Sequence, residues 1–132
     1  DLVTFHYEAT KDPLELINLI KSRGVKAGIS IKPGTDVRVL NEILPHIDLI
    51  LLMSVEPGQG GQKFISKTLD RIRYLDRLRN IESYSFLIEV DGGIKLDTAK
   101  LVKDVHCDVI VVGSYLFNRT NRNDLIKELE DV

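Results

Sequence analysis

The segment Phe86–Gly93, with the sequence FLIEVDGG, decides the fold of this chain. An apolar strand pattern runs to Val90 and ends on a carboxylate, Asp91, which two glycines follow directly. A carboxylate at the carboxyl end of a buried strand can act as a general base, and the glycines let the backbone approach a phosphate closely. The segment is therefore typical of an α/β enzyme that acts on a phosphorylated small molecule.

Two further glycine clusters follow apolar strand patterns elsewhere in the chain. Gly58–Gly61 has the sequence GQGG, and Gly113-Ser114 follows a later apolar run. Together with Asp91 and its two glycines, three strand ends supply one carboxylate and three turns suited to phosphate. This repetition indicates that the functional site lies where the strands end.

Composition narrows the class of protein. The 132 residues are enough for one domain with a hydrophobic core, and 43% hydrophobic and 29% charged residues are ordinary for a globular protein. A net charge of −2 gives no reason to expect a nucleic-acid partner or an anionic membrane. The longest apolar run, Leu49–Val55, is far shorter than the ~20 residues that cross a bilayer, so we expect no membrane partner either.

The single cysteine and the basic-rich segment of the chain are both interpreted as structural features without a role in chemistry or binding. Cys107 is the only cysteine, which excludes an intrachain disulfide, fits a cytoplasmic protein and predicts an inert buried thiol. The basic-rich segment Lys67–Arg79 has acidic residues interleaved, and we interpret it as a solvated helix face.

Strands and helices alternate along the chain, which predicts parallel strands joined by right-handed crossovers. The predicted strands are Leu2–His6, Val25–Ile31, Ile47–Val55, Ser85–Val90 and Val109–Gly113. The predicted helices begin near Asp12, Thr35, Ser66 and Asp97, and the last begins near Asn121 or Asn123. Five such units do not close a barrel. They could form an open doubly wound sheet or the last five units of a (β/α)₈ barrel, and periodicity leaves both open.

The apolar spacing of the helices predicts which residues are buried. The first helix has Asp12 as N-cap, Pro13 at its first position and Gly24 after its end. The inward residues of the next three helices are Val39, Leu40, Ile43 and Leu44, then Leu69, Ile72, Leu75 and Leu78, then Leu101 and Val102.

Five segments of the chain resemble ribulose-phosphate 3-epimerases in order and spacing. They are VTFHYEA (Val3–Ala9), GISIKPGT (Gly28–Thr35), MSVEPGQGGQKF (Met53–Phe64), EVDGG (Glu89–Gly93) and Gly113-Ser114. The resemblance covers the whole chain and matches the carboxyl-terminal five-eighths of the family. It implies an α/β fold, a (β/α)₈ TIM barrel, in which residues 1–132 form a single partial domain containing strands four to eight.

The resemblance implies an isomerase of the pentose phosphate pathway, which interconverts D-ribulose 5-phosphate and D-xylulose 5-phosphate. Epimerisation at C3 removes a proton beside a carbonyl and returns one on the opposite face, so two acid/base groups are needed. The family uses two aspartates, and a divalent metal stabilises the enediolate between the two steps. Zn²⁺ is the expected metal, with Fe²⁺, Mn²⁺ or Co²⁺ as alternatives. Asp91 matches one catalytic aspartate, which is also a metal ligand.

The resemblance also assigns residues that contact the substrate. Met53 matches a methionine that lies against the sugar. The loop expected to close over the substrate contains Gly58, Gln59, Gly60 and Gly61, and the expected phosphate donors are Gly92, Gly93, Gly113 and Ser114. These last four follow strands seven and eight, where barrels of this kind commonly bind phosphate. His6 is expected near the site but not as a metal ligand, because the family's metal histidines come from earlier strands.

The chain departs from the family pattern in ways that leave alternatives open. The family's histidine ligands and second aspartate have no counterpart here, Gln59 stands where an aromatic residue is usual, and Tyr115 stands where a small one is usual. The alternatives are an epimerase for a ketohexose 6-phosphate such as allulose 6-phosphate, or a non-catalytic phosphosugar-binding fragment without the first three strands. The expected partner is a phosphorylated ketose, and the expected assembly is a homo-oligomer.

Overall fold

The computed structural model describes residues 1–53, 61–91 and 96–111, in which five strands alternate with helices. The strands are β1 (Leu2–His6), β2 (Lys26–Ile31), β3 (Leu49–Met53), β4 (Leu87–Asp91) and β5 (Val109–Val111). The α-helices are α1 (Pro13–Ser22), α2 (Gly61–Glu82) and α3 (Leu96–Asp104). Short 3₁₀ helices cover Tyr7–Ala9, Val37–Leu40 and Leu44–His46. Every predicted strand is present, and no helix in these ranges has the length and apolar character needed to cross a bilayer.

The five strands form one parallel sheet in the order β1-β2-β3-β4-β5. An open doubly wound sheet reverses its order at one point, which makes neighbours of strands that are distant in the chain. Here each strand lies beside its neighbour in sequence and extends the sheet in the same direction, as in the wall of a barrel. The strand order therefore favours the barrel over the doubly wound alternative.

One face of the sheet forms the core of the described structure. Because side chains alternate along a strand, every second residue of β2, β3 and β4 points to this face. These residues are at most 1% exposed: Ala27, Ile29, Ile31, Ile50, Leu52, Ile88 and Val90. They belong to one buried cluster that also contains residues from all three α-helices: Ile17, Ile72, Leu75 and Val102. The three α-helices therefore pack against one face of the sheet.

The ends of α1 agree with the local sequence signals. Asp12 is the N-cap, and its carboxylate accepts a hydrogen bond from the backbone N–H of Glu15 at 3.1 Å. Pro13 occupies the first helical position, where its missing N–H costs nothing. Gly24 follows the C-cap with a φ of +76°, a left-handed conformation that favours glycine. The predicted bounds of this helix are confirmed.

The predicted helix after Thr35 is wrong. Two short 3₁₀ helices, Val37–Leu40 and Leu44–His46, replace it. Pro45 explains the difference, because proline lacks a backbone N–H and disfavours helical geometry in the residue before it. Leu40, Ile43 and Leu44 are buried as predicted, whereas Val39 is 39% exposed.

Two later predictions need smaller corrections. The helix predicted to begin near Ser66 begins at Gly61, and within it Ile72 and Leu75 are fully buried as expected. In α3, Val102 is buried as predicted, but Leu101 is 44% exposed. The helix predicted from Asn121 lies outside the described residues.

The basic-rich segment is not a uniformly solvated face. Arg71 is only 8% exposed, and the side chain of Arg79 is 15% exposed. The two arginines are eight positions apart on α2, so they share one side of the helix with Ile72 and Leu75. Both guanidinium groups therefore point towards the sheet, where they need hydrogen-bond acceptors.

A repeated aspartate ties the strands together at their amino ends. Asp48 precedes β3, and its Oδ2 accepts a hydrogen bond from the backbone N–H of Ala27 in β2 at 2.8 Å. Asp108 precedes β5 and does the same for Ile88 in β4, also at 2.8 Å. Arg79 donates to Asp108 at 2.7 Å and to Asp76 at 2.8 Å. Aspartate carboxylates therefore join neighbouring strands at the amino edge of the sheet, and Arg79 pairs with one of these carboxylates.

Cys107 lies at this same edge and is 7% exposed, as predicted for an inert thiol. Its Sγ contacts the carbonyl oxygens of Ile88 and Val109 at 3.4 and 3.3 Å. Burial raises the pKa of the Cys107 thiol to about 12, so the thiolate is scarce at neutral pH. This cysteine is a packing residue.

The packing of β2 against its neighbours predicts the effect of a methyl group at Gly28. A Cβ there would lie 2.6 Å from the Thr4 hydroxyl oxygen and 3.3 Å from a methyl carbon of Leu49. We expect Gly28→Ala to lower the free energy of unfolding by about 1–3 kcal/mol, measured by urea denaturation.

The matched control is Gly34→Ala, because a Cβ at Gly34 meets nothing within 4 Å. This control should change stability by less than about 0.5 kcal/mol. Adding Thr4→Ala to Gly28→Ala should recover part of the loss, because it removes the closest atom. Equal effects of the two alanine substitutions would contradict the steric explanation.

Candidate active site at the carboxyl edge of the sheet

The face of the sheet opposite the helices carries polar groups towards the carboxyl ends of the strands. The register pairs His6 with Ser30, Ser30 with Leu51, and Leu51 with Glu89. One row further on, Met53 of β3 lies beside Asp91 of β4. Carboxylate, imidazole and hydroxyl groups thus share one face at one edge, which is where enzymes of this architecture carry out their chemistry.

Two carboxylates of β4 lie on this face, because Glu89 and Asp91 are two residues apart on a strand. Glu89 is half-buried and Asp91 is exposed. Burial raises the pKa of the Glu89 carboxyl above its ordinary value, and the negative charge of Asp91 raises it further. The two groups are therefore close enough to interact, and Asp91 is the one accessible to a ligand.

His6 is held by a hydroxyl group. Its Nδ1 lies 2.8 Å from the Oγ of Ser30, which is 1% exposed. Within residues 1–53, 61–91 and 96–111, no three side chains of His, Cys, Asp or Glu come together as metal ligands. The expectation that His6 is not a metal ligand stays a prediction.

A hydrogen-bonded network, which sequence reasoning missed, holds the loop that follows β2. The carboxylate of Glu8 accepts a hydrogen bond from the backbone N–H of Lys32 at 2.9 Å and another from the Thr35 hydroxyl. In the same loop, Nη2 of Arg71 donates to the carbonyl oxygens of Lys32 at 3.0 Å and Thr35 at 2.7 Å. We call Glu8 and Arg71 the loop clamp.

Burial and neighbouring groups shift the pKa values of both residues of the loop clamp. Burial lowers the pKa of the Arg71 guanidinium, while the negative charges of Glu8 and Asp36 act in the opposite direction. Burial tends to raise the pKa of the Glu8 carboxyl, but hydrogen bonds from Thr35 and Lys32 outweigh it. The pKa of Glu8 therefore lies below its ordinary value, and this carboxylate is charged at neutral pH.

One sequence signal could have revealed half of this clamp. Arg71 precedes Ile72 and lies four positions before Leu75, which puts it beside the buried stripe of α2. An arginine in that position needs buried acceptors. Nothing local marks Glu8, because its partners are more than twenty residues away in the chain.

The structure describes three of the predicted site residues. Met53 and Asp91 lie beside each other in neighbouring strands, and Gly61 is the first residue of α2. The remaining predicted site residues lie outside the described residues: Gly58, Gln59, Gly60, Gly92, Gly93, Gly113 and Ser114. Their roles stay predictions.

Solved structures identify the class of fold. The chain superposes on a 3-hexulose-6-phosphate synthase with a TM-score of 0.66 and 16% sequence identity, covering 99% of this chain and 61% of that one. It also matches the KGPDC of Streptococcus mutans with a TM-score of 0.58 and 17% identity, covering 98% of this chain and 58% of that one. Because both sequence identities are low, these two structures show the fold of the chain and nothing about its function. The fold is the (β/α)₈ barrel, to which this chain contributes five consecutive strands.

Sequence comparison identifies the family. The model of the ribulose-phosphate 3-epimerase family matches residues 1–117, and the chain belongs to that family. The ribulose-phosphate 3-epimerase of Treponema pallidum is 44% identical over 128 residues, which are 97% of this chain and 59% of that protein. The one from Eremothecium gossypii is 42% identical over 132 residues, covering 99% of this chain and 53% of that protein. The chain spans little more than half the length of these relatives.

The lowered pKa of Glu8 predicts a pH-dependent contribution to stability. Its charged form is favoured in the folded protein, so this contribution is present above its ordinary pKa of 4.5 and is lost as pH falls through the lower folded-state pKa. We expect Glu8→Gln to lower the free energy of unfolding at pH 7 by less than about 1 kcal/mol, because the group is exposed and screened.

Urea denaturation between pH 3 and pH 7 measures this contribution. The difference between wild type and Glu8→Gln should shrink below pH 4.5, whereas Glu42→Gln, at another exposed glutamate, should show no such change. A difference that grows on acidification would contradict the direction of the Glu8 shift.

Proposed function

We propose that the protein containing this chain epimerises C3 of D-ribulose 5-phosphate to form D-xylulose 5-phosphate. The observation that carries this proposal is the exposed carboxylate of Asp91, which ends β4 on the open face of the sheet beside Met53. Membership of the ribulose-phosphate 3-epimerase family supports the same substrate.

In this proposal Asp91 exchanges a proton with C3 of the ketose. The proton beside a carbonyl is acidic enough for a positioned carboxylate to remove it, which leaves a planar enediolate. Inversion requires that a proton return to the opposite face, so a second acid/base group must face Asp91 across the sugar. We propose an aspartate for this role and assign it to no residue of this chain.

The sugar phosphate would be bound by backbone N–H groups of the glycine-containing segments that follow β4 and β5 in the sequence. Those segments contain Gly92, Gly93, Gly113 and Ser114. The segment Gly58–Gly61, which leads into α2, would cover the substrate. Support for these roles comes from their positions directly after three neighbouring strands, the usual sites of binding residues in this architecture.

We also propose that a divalent metal, Zn²⁺ in the first instance, takes part with Asp91 as one ligand. The carboxylate of Asp91 is a suitable oxygen donor, but the described residues do not assemble a set of three ligands, so this part of the chain does not form a metal site by itself. When bound, such a cation supplies Lewis-acid stabilisation of negative charge on the substrate.

Asp91→Asn tests the proposed catalytic role. Asparagine keeps the shape of the side chain but cannot accept the proton from C3, so we expect kcat to fall by at least about 10²-fold. The measurement is NMR of the C3 proton of D-ribulose 5-phosphate in D₂O, with the full-length protein.

The control for this measurement is Asp70→Asn, which changes an exposed aspartate paired with Arg73 on α2 and should leave exchange unchanged. Exchange at the wild-type rate in Asp91→Asn would contradict the proposal. Faster turnover of allulose 6-phosphate than of D-ribulose 5-phosphate by the wild type would instead assign the hexose substrate.

Removal of metal tests the proposed cofactor. We expect dialysis against a chelator to abolish exchange at C3 and added Zn²⁺ to restore it. Metal content measured by mass spectrometry should fall in parallel, and Asp91→Asn should retain less Zn²⁺ than Asp70→Asn because it loses a charged ligand. Full activity in protein shown to be metal-free would overturn this part of the proposal.

A further inference from the structure

We propose that Arg71 is a positioning residue for this reaction, because it holds the loop Lys32–Thr35 in place at the edge of the sheet where the substrate would bind. The inference rests on the proposed function. It adds a role for a helix residue that lies outside the residues assigned to the substrate or the metal.

The contacts of Arg71 are specific to this loop. Its Nη2 donates to two carbonyl oxygens at opposite ends of the loop, at 3.0 Å to Lys32 and 2.7 Å to Thr35. The residue is 8% exposed, so water competes little for these carbonyls. Hydrogen bonds from a charged donor are stronger than those between neutral groups. The Lys32 carbonyl oxygen also accepts a hydrogen bond from the backbone N–H of Thr35 at 3.1 Å, which closes the turn. Arg71 therefore reinforces this turn and ties both of its ends to α2.

Glu8 holds the same loop through different atoms. Its carboxylate accepts from the backbone N–H of Lys32 and from the hydroxyl of Thr35. The N–H of Lys32 thus meets an acceptor and its carbonyl oxygen meets a donor. A loop held through both its N–H and C=O groups has little freedom to shift, which is the condition for a preorganised site wall.

The loop lies close to Asp91. Ile31, the last residue of β2, pairs with Leu52. Continuing that parallel register places Lys32 beside Met53, which itself pairs with Asp91. Two strand spacings of about 4.8 Å separate Lys32 from Asp91, or roughly 10 Å across the sheet. A sugar phosphate bound over Asp91 would reach that distance.

Arg71 also joins two parts of the proposed site. It belongs to α2, which begins at Gly61 at the end of the segment assigned above to cover the substrate. Its acceptors belong to the loop after β2. The side chain of Arg71 therefore connects the helix after β3 with the loop after β2.

Arg79 provides a matched control on the same side of the same helix. It too is mostly buried, and it donates to the carbonyl oxygen of Phe86 at 2.9 Å and to the carboxylate of Asp108 at 2.7 Å. Its partners lie at the amino edge of the sheet, which in barrels of this kind contributes to stability. The two arginines differ in the edge that they hold.

The experiment compares Arg71→Met, Arg71→Lys and Arg79→Met in the full-length protein, at a temperature where circular dichroism shows that each variant is folded. We expect Arg71→Met to reduce kcat/KM for D-ribulose 5-phosphate by about 10- to 100-fold, with a raised KM. KM does not depend on the fraction of folded enzyme, so this rise distinguishes positioning from lost stability. Arg71→Lys should recover part of the activity, because its ammonium can reach one carbonyl.

We expect Arg79→Met to lower the melting temperature at least as much as Arg71→Met and to leave KM within about twofold of wild type. Wild-type KM in Arg71→Met, or an equal rise in both arginine variants, would overturn the positioning role while the proposed function stands. Absence of epimerase activity in the wild type would overturn the proposed function, and the positioning role with it.

A double-mutant cycle checks that Glu8 and Arg71 act on the same loop. If both fix Lys32–Thr35, Glu8→Gln should change kcat/KM less in the Arg71→Met background than in the wild type, because the loop is already released. Strictly additive effects would show that the two residues act separately and would overturn the loop clamp as a unit.

Discussion

The parallel register of the five strands is the constraint on which the rest of this structure depends. Side chains alternate between the two faces of a strand, so one register determines both faces at once. The pairing that places Leu52 beside Val90 in the core also places Met53 beside Asp91 on the opposite face. A shift of one residue would bury a carboxylate among the helices and expose an apolar residue at the site. Core packing therefore secures the site geometry.

Charged side chains divide between the two edges of the sheet, and α2 reaches both. At the amino edge, Asp48 and Asp108 accept hydrogen bonds from neighbouring strands, and Arg79 pairs with Asp108. At the carboxyl edge, Glu8 and Arg71 hold a loop instead of a strand. The same long helix thus presents one cation to the strands at the amino edge and one to a loop at the carboxyl edge.

The parts of the fold that depend on local chemistry could be predicted from the sequence. Buried parallel strands are nearly continuous apolar runs, and the cap residues Asp12 and Gly24 act within one helical turn. The site carboxylate Asp91 was recognisable because a strand end and two glycines surround it in sequence. Pro45 was a local signal against the helix predicted after Thr35, because proline lacks the backbone N–H that a helix needs. The position of Arg71 beside the buried stripe of α2 was also visible in the sequence. Its acceptors were not predictable, because they lie more than thirty residues away in the chain.

The repeated aspartates before β3 and β5 have a consequence for how the chain assembles. Each joins its strand to the preceding one across a short stretch of chain, 21 residues for Asp48 to Ala27 and 20 for Asp108 to Ile88. Closing such short loops costs little chain entropy, and contacts of low sequence separation favour rapid folding. Each of these two strands can therefore dock onto its predecessor once the short connecting segment has formed. The strands can therefore pair one after another from the amino to the carboxyl terminus. This is also the order in which they are synthesised on the ribosome.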